Sequence, residues 1–294
     1  MSDNLKTINL IGCGHVGKTL GRLWNNRGVF KFSDVLNRSL ESSLTAVEFL
    51  QTGRAIESFE QMHKSDIYLI ATPDDQIIET CRSLARSDLL ETGNIVFQCS
   101  GSIPSTDLSL VKDRGAFIAS VHPVKSFADY EAAYKSFKGT YCGVEGDHEA
   151  IEVLTKAFEA IGGKTFTLNP EYKTEYHAAS VIVCNYLTAL LELGTKVYER
   201  AGVSHEIAMQ IMEPLVRETV NNNFQLGTVH ALTGPIARGD HEVVRRQIES
   251  LTKWDVELAD LYRRLGAVAL ELSEAQGIAS IESLKTLKEL LNDT

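Results

Sequence analysis

The chain has 294 residues, 44% hydrophobic and 23% charged, with a formal net charge of −10. That length allows one or two domains with sizeable cores, and the acidic balance excludes the broad basic face a nucleic-acid partner requires. No uninterrupted apolar run reaches the ~20 residues of a bilayer span. Nor does the polar start carry a signal-peptide pattern, so no membrane partner is expected. The five cysteines (13, 81, 99, 142 and 184) form no C-x-x-C pair and the eight histidines lack metal-ligand spacing, so a reduced, cytoplasmic protein without a metal site is expected.

The informative stretch comes first. Thr7 to Ile11 reads as a short buried parallel strand. It runs into Gly12-Cys13-Gly14-His15-Val16-Gly17, and a helical pattern follows, with Val16, Leu20, Leu23 and Trp24 three and four residues apart. Strand, glycine turn and helix in that order are the context in which G-x-G-x-x-G binds a dinucleotide. Gly12 makes the tight turn, Gly14 admits a diphosphate to the backbone, and Gly17 lets helix and strand approach. The helix N-terminus supplies free N–H groups to the phosphates.

Gly28 closes that helix, and Ser33 to Leu36 is the second strand. Its tip reads Asn37-Arg38-Ser39, where an NAD site usually has a carboxylate for the ribose 2′-hydroxyl. A cation and two small hydrogen-bonding groups suit a 2′-phosphate, so the expected cofactor is NADP (NADPH). Asp34 lies inside the strand rather than at its tip. Residues 40–50 are helical, ended by Gly53, and 55–58 form a short strand. Residues 67–71 form a buried strand ending Ala71-Thr72-Pro73, with Asp74 or Asp75 capping the helix 77–84. Strands at 95–99, ending Ser100-Gly101, and at 117–121, ending His122-Pro123, follow. Two more, 141–144 and 165–168, flank a helix at 149–161. This alternation predicts βαβ units and a largely parallel sheet. Ligands sit beyond the carboxyl ends of such strands, so Gly12–Gly17, Asn37–Ser39, Ala71–Asp74, Ser100–Gly101 and His122 should line one crevice.

Around Asn169-Pro170 the texture changes. From Tyr172 to Tyr198 the only breaker is Gly194, and apolar residues lie almost all round. A helix apolar on every face must be covered on every face, so it is expected to pack inside its domain and against a second copy. Helices at 206–224, 241–275 and 281–291 complete an all-α half, with Asp240 capping the second. The division is 1–169 and 170–294.

His122 is the best candidate for proton transfer to or from a substrate hydroxyl; it could equally hydrogen-bond across the strand ends. His177 and Asn185 lie two turns apart on the long helix and so are expected to share one face, with Val181 between them and Lys173 a turn earlier. Polar groups on an apolar helix need partners or a polar cavity; a substrate pocket or an interhelical bond would each serve. Lys125, Ser126, Asn221–Asn223 and Arg238 read as loop, cap or turn residues at least as well as ligands.

The stretches Ser120-Val121-His122-Pro123, Tyr176-His177-Ala178-Ala179-Ser180-Val181 with Asn185, and Leu232 to Asp240, taken with the glycine turn, span nearly the whole chain. It resembles the Rossmann-like oxidoreductases whose C-terminal half is a domain of unknown function 2520. More distantly it is similar to ketopantoate reductase, pyrroline-5-carboxylate reductase and prephenate dehydrogenase. The resemblance implies an α/β Rossmann-type doubly wound parallel sheet that binds NADP, followed by an all-α C-terminal dimerisation domain. Prephenate dehydrogenases have a similar His-Pro after a strand, which implies that His122 bonds the substrate hydroxyl. Hydroxyisobutyrate-type dehydrogenases carry a lysine where this chain has Val181, so lysine acid catalysis is not implied. The expectation is an NADP-dependent oxidoreductase acting on a small polar, carboxylate-bearing molecule. A non-catalytic NADP(H) sensor is the alternative, and a methyltransferase using S-adenosylmethionine fits less well.

Overall fold

In the computed structural model, which describes residues 5–292, strands and helices alternate from the start. The order is β1 (Thr7–Ile11), α1 (His15–Arg27), β2 (Lys31–Leu36), α2 (Leu40–Leu50), β3 (Arg54–Ile56), β4 (Ile67–Ile70), α3 (Asp74–Arg86) and β5 (Ile95–Gln98), then α4 (Ser109–Lys112), β6 (Phe117–Pro123), α5 (Tyr130–Lys135), β7 (Tyr141–Gly146), α6 (His148–Ala160) and β8 (Lys164–Thr167). The strands form one sheet in the order β3-β2-β1-β4-β5-β6-β7-β8. All neighbours are parallel except β6 and β7. The chain leaves β1 for β2 and β3 on one side, then returns to place β4 on the other. That reversal opens a crevice beyond the carboxyl ends of β1 and β4, where ligands bind in such sheets.

The alternation of side chains builds a core on each face. Ile8, Leu10, Ile67, Leu69 and Phe97 pack with Leu20 and Trp24 of α1 and Phe158 of α6. Ile11, Tyr68, Ile70 and Val96 pack with Ile77 and Leu84 of α3. Trp24, fully buried, donates its indole N–H to the Ala157 carbonyl at 3.0 Å and meets Phe158 edge-on, so the aromatic core carries its own hydrogen bond. Buried Asn9 donates to the His63 carbonyl and accepts from Asp34 N–H.

The chain divides into two compact units, Met1–Tyr186 and Leu187–Thr294. The boundary falls inside one long helical stretch: α7 (Lys173–Ser180), a π-helical turn (Val181–Asn185) and α8 (Tyr186–Arg200). The second unit continues with α9 (His205–Leu226), α10 (Thr228–Ala231), α11 (Pro235–Arg238), α12 (His241–Trp254), α13 (Val256–Gln276) and α14 (Ile281–Asn292). Val244, Ile248, Leu270, Leu287 and Leu291 form its core.

Several local expectations are corrected. Helix α2 ends at Gln51, which adopts φ 56°, rather than at Gly53. Neither Asp74 nor Asp75 is the N-cap of α3. Pro73 holds that place and both aspartates lie in the first turn, where the helix dipole favours them. The helix expected over 241–275 is two helices, because Asp255 accepts a bond from Leu258 N–H at 3.0 Å and starts a new one. Asp240 precedes α12 but makes no side-chain cap; it binds Arg238 instead.

The long helix stands apart. Its length and hydropathy are those of a bilayer span, yet Lys173 in its first turn is buried against the sheet. It was expected to pack inside its domain and against a second copy; in the single chain Ile182, Val183 and Tyr186 are 58, 66 and 56% exposed.

Candidate functional site

Gly12 ends β1 with φ +83°, and its N–H donates to the Leu36 carbonyl at 2.8 Å. A Cβ there would lie 2.5 Å from Thr72 N, so only glycine permits the close approach of this turn to β4. A Cβ on Gly17 would lie 3.3 Å from the Gly12 carbonyl and 3.4 Å from Cys13 Sγ, which fits its role at the helix–strand contact. Gly14 differs: nothing lies within 4 Å of its Cβ position. No side chain caps α1 and no carboxylate sits in its first turn. Its positive end therefore faces a cavity of about 1080 Å³, lined by Gly12, Cys13, Gly14, Arg38, Thr72 and Pro73 among others. Thr72 Oγ1 is buried without a hydrogen-bond partner. A free helix end, an unfilled glycine face and an orphaned hydroxyl at one cavity fit a phosphate-bearing ligand.

The neighbouring side chains have varied duties. The Cys13 thiol is buried, and burial pushes its pKa up to about 12, so it is inert as a nucleophile. His15 is exposed, takes the Phe127 carbonyl at 2.6 Å and lies against the Tyr130 ring. Val16 packs on the core beneath the turn.

At the tip of β2 the Asn37 carboxamide accepts from Cys13 N–H at 2.5 Å and donates to the Ser42 carbonyl at 2.9 Å. It braces the glycine turn against α2. Ser39 caps α2 by accepting from Ser42 N–H. Arg38 is exposed at the cavity, with no hydrogen bond or ion pair among the described residues. Asp34 is buried, bound by Arg54 Nε at 2.7 Å and His63 N–H at 2.6 Å. It holds β2 to β3 and is not offered to a ribose.

A second polar centre lies at the ends of β5 and β6. His122, on the last turn-ward part of β6, places Nδ1 2.8 Å from the Tyr176 hydroxyl of α7. Its ring meets that of His177 edge-on at 5.9 Å. A Cβ built on Gly101 would collide with His177 Nδ1 and lie 2.9 Å from His122 Nε2, so both imidazoles converge on this bare main chain. His177 Nδ1 is buried and unpartnered. Burial, then the neighbouring His177 and Lys173, lowers the His122 pKa to about 4, against a smaller opposing pull from Asp74. Asp74 itself accepts from Ser100 Oγ at 2.7 Å and Ser102 Oγ at 3.1 Å, fixing the loop that carries Gly101. The structure therefore brings together His122, His177, Ser100 and Gly101. Ala71 follows β4 beside Thr72 at the cavity. Asn185 ends the π turn and is exposed.

Sequence reasoning missed what supports these histidines. Lys173 Nζ donates to Ser120 Oγ and pairs with Glu145 Oε1 at 2.8 Å, with Lys173 and Glu145 each 1% exposed. Glu145 also accepts from Ser105 N–H and Ser105 Oγ. Ser120 and Glu145 stand opposite each other in the β6–β7 ladder. A Ser two residues before His122 and a Glu in an apolar strand were the available signals. Other candidates have local partners: Lys125 Nζ donates to the Ser136 carbonyl, Asn223 to the Thr219 carbonyl, and Arg238 binds Asp240 at 2.9 Å. No group of three metal-binding side chains occurs among the described residues.

The signature of a Rossmann-like domain matches residues 2–123, and that of a domain of unknown function (DUF2520) matches residues 140–269. No curated protein matches the sequence. Among solved structures, a Thermotoga maritima protein is 24% identical, covers 92% of this chain and 99% of its own, and has a TM-score of 0.74. A Bacteroides fragilis protein named as a candidate NADP oxidoreductase is 19% identical, covers 92% and 98%, and scores 0.69. Prephenate dehydrogenase from A. aeolicus, in complex with hydroxyphenyl propionate and NAD+, is 16% identical, covers 94% and 100%, and scores 0.55.

Proposed function

We propose that this chain, which joins a Rossmann-like domain to a domain of unknown function 2520, is a nicotinamide-dependent oxidoreductase that favours NADP(H) and acts on a small polar substrate. One observation carries the reading. The β1–α1 turn opens its free glycine face and uncapped helix end into a large cavity, and two imidazole nitrogens meet over Gly101 at the strand ends of the same unit.

The main-chain N–H groups of Gly12 to Gly17 would hold the diphosphate, with Cys13, His15 and Val16 contributing backbone rather than side chains. Arg38 and Ser39 would take the ribose 2′-phosphate, with Asn37 bracing them. Ala71, Thr72, Pro73, Ser100 and Gly101 would border the remainder. The bound nicotinamide would supply or accept hydride. His122 and His177 would hold the substrate oxygen or nitrogen and handle its proton, with Asn185 as a further polar contact from the same helical stretch. A carboxylate on the substrate has less support, since the buried cation beside His122, Lys173, is already paired with Glu145. Cys13, Cys81, Cys99 and Cys142, free thiols among the described residues, fit a reducing, cytoplasmic setting.

The partner best suited to the exposed face of Ile182, Val183 and Tyr186 is a second copy. Sedimentation of the wild type and Val183→Glu tests this; a dimer for the former and a monomer for the latter is expected.

Calorimetric titration with NADPH, NADP+ and NADH tests the main reading. Binding in the micromolar range with NADPH preferred is expected, and no heat from any of them at millimolar concentration overturns it. Tight binding without turnover on a panel of ketones and imines would favour the sensor instead.

A further inference from the structure

The proposed substrate site contains a residue whose part is not explained by binding. Tyr176 projects from α7 and touches the ring of His122 edge-on, with centroids 5.6 Å apart, and its hydroxyl lies 2.8 Å from Nδ1. That nitrogen is the only one of the two on His122 with a partner among the described residues. Nε2 faces Gly101, inside 3.0 Å of the point where a Cβ would stand, and His177 Nδ1 reaches the same point without a partner.

Two neutral groups share this bond. Burial pushes the Tyr176 phenol up to about 12. Burial together with His177 and Lys173 lowers His122 to about 4, and Asp74 offsets only part of that. A phenol is a much stronger acid than a neutral imidazole N–H, and the bare ring nitrogen is the stronger base. The hydroxyl therefore donates, Nδ1 accepts, and the ring proton resides on Nε2.

We infer that Tyr176 is a positioning residue that locks His122 as the Nε2–H tautomer, so that His122 meets the substrate as a hydrogen-bond donor to a carbonyl oxygen or imine nitrogen. This deepens the oxidoreductase reading and rests on it: the favoured substrate carries C=O or C=N, and the favoured direction is reduction. When hydride reaches the substrate carbon, the C=O electron pair moves onto oxygen. Oxygen takes the Nε2 proton, and the N–H electron pair stays on the ring. Water then returns a proton to Nε2 and is left as hydroxide, which balances the proton the reduction consumes; the Tyr176 hydroxyl stays on Nδ1, so the ring is restored as the Nε2–H form. A neutral imidazole used in this way polarises its substrate without carrying a charge that burial would penalise. His177 Nδ1, aimed at the same point, gives the second contact.

The experiment is a long-range proton–nitrogen correlation spectrum of the whole protein labelled with nitrogen-15 histidine, without cofactor, with His122 assigned through His122→Gln. The expected result is one neutral Nε2–H form for His122 in the wild type and a mixture of both tautomers in Tyr176→Phe. An Nδ1–H form in the wild type, or an unchanged tautomer in Tyr176→Phe, overturns the inference. The wild-type spectrum decides the point even if the variant does not fold. Because no cofactor is present, failure here is separate from failure of the titration with NADPH.

Discussion

Lys173 Nζ lies 2.8 Å from Glu145 Oε1, with both side chains 1% exposed, and this pair ties α7 to β7 directly beneath His122 and Tyr176. Desolvation lowers the Lys173 pKa, and the Glu145 charge and hydrogen bond work against it. A buried pair of this kind contributes little net stability beside an apolar replacement, but removal of one partner strands the other. Among the described residues, Lys173→Met leaves the Glu145 carboxylate with only Ser105 to hold it. The expected loss is about 3–5 kcal/mol in denaturant unfolding, with much of it restored in Lys173→Met/Glu145→Leu. A loss under ~1 kcal/mol would show that the pair is not isolated from water.

The low pKa of His122 gives a pH dependence with a definite sign. The folded group titrates near 4 and the unfolded group near 6.5. Between those values the unfolded chain binds more protons, so stability rises with pH across that window and His122 adds no slope above it. One such proton contributes at most ~1.4 kcal/mol per pH unit. His122→Phe should flatten the curve between pH 4 and 6.5 and leave its slope near pH 8 unchanged, whatever the loss of the Tyr176 bond does to its height, as read from thermal melts across pH. An equal slope in both proteins would place the imidazole in water.

What could be read from residues alone was local. The glycine turn, the strand it ends and the helix it starts occupy one short window, so their pattern was sufficient. The same holds for the strand ends that carry His122 and Ser100. The Lys173–Glu145–Ser120 cluster draws on α7, β7 and β6, and no window of sequence contains it. Tyr176 was hidden in the same way, because its partner is 54 positions away. Asp255 was different: it sits after Trp254 as an ordinary N-cap, and apolar periodicity on both sides masked the break. The π turn at Val181–Asn185 leaves no mark in composition, yet it changes which face His177 and Asn185 share, since a π turn takes more residues per revolution than an α turn.

Arg38 should govern the choice between cofactors. It is exposed at the cavity and has no protein partner among the described residues. A charge-assisted bond to a 2′-phosphate is worth about 1.5–3 kcal/mol. Arg38→Ala is therefore expected to weaken NADPH binding about 10- to 100-fold and to leave NADH within a factor of about three. Equal losses for the two cofactors would assign Arg38 to the shared part of the dinucleotide; no loss for either would remove it from the site.

Gly14 offers the sharpest separation of binding from stability. Its Cβ position is open and its φ is −78°, so a methyl group meets no protein atom and the backbone stays on the negative-φ side. Gly12 lacks that freedom, with φ +83° and Thr72 N 2.5 Å from its Cβ position. Gly12→Ala should therefore lower the melting temperature through strain and collision. Gly14→Ala should melt within about 2 °C of the wild type, yet lose at least about tenfold in NADPH affinity, because the methyl group fills the space where a diphosphate would approach the main chain. The contrast needs only thermal melts and one titration. Retained affinity in a well-folded Gly14→Ala protein would mean that any nucleotide this chain holds does not lie on the amides of this turn.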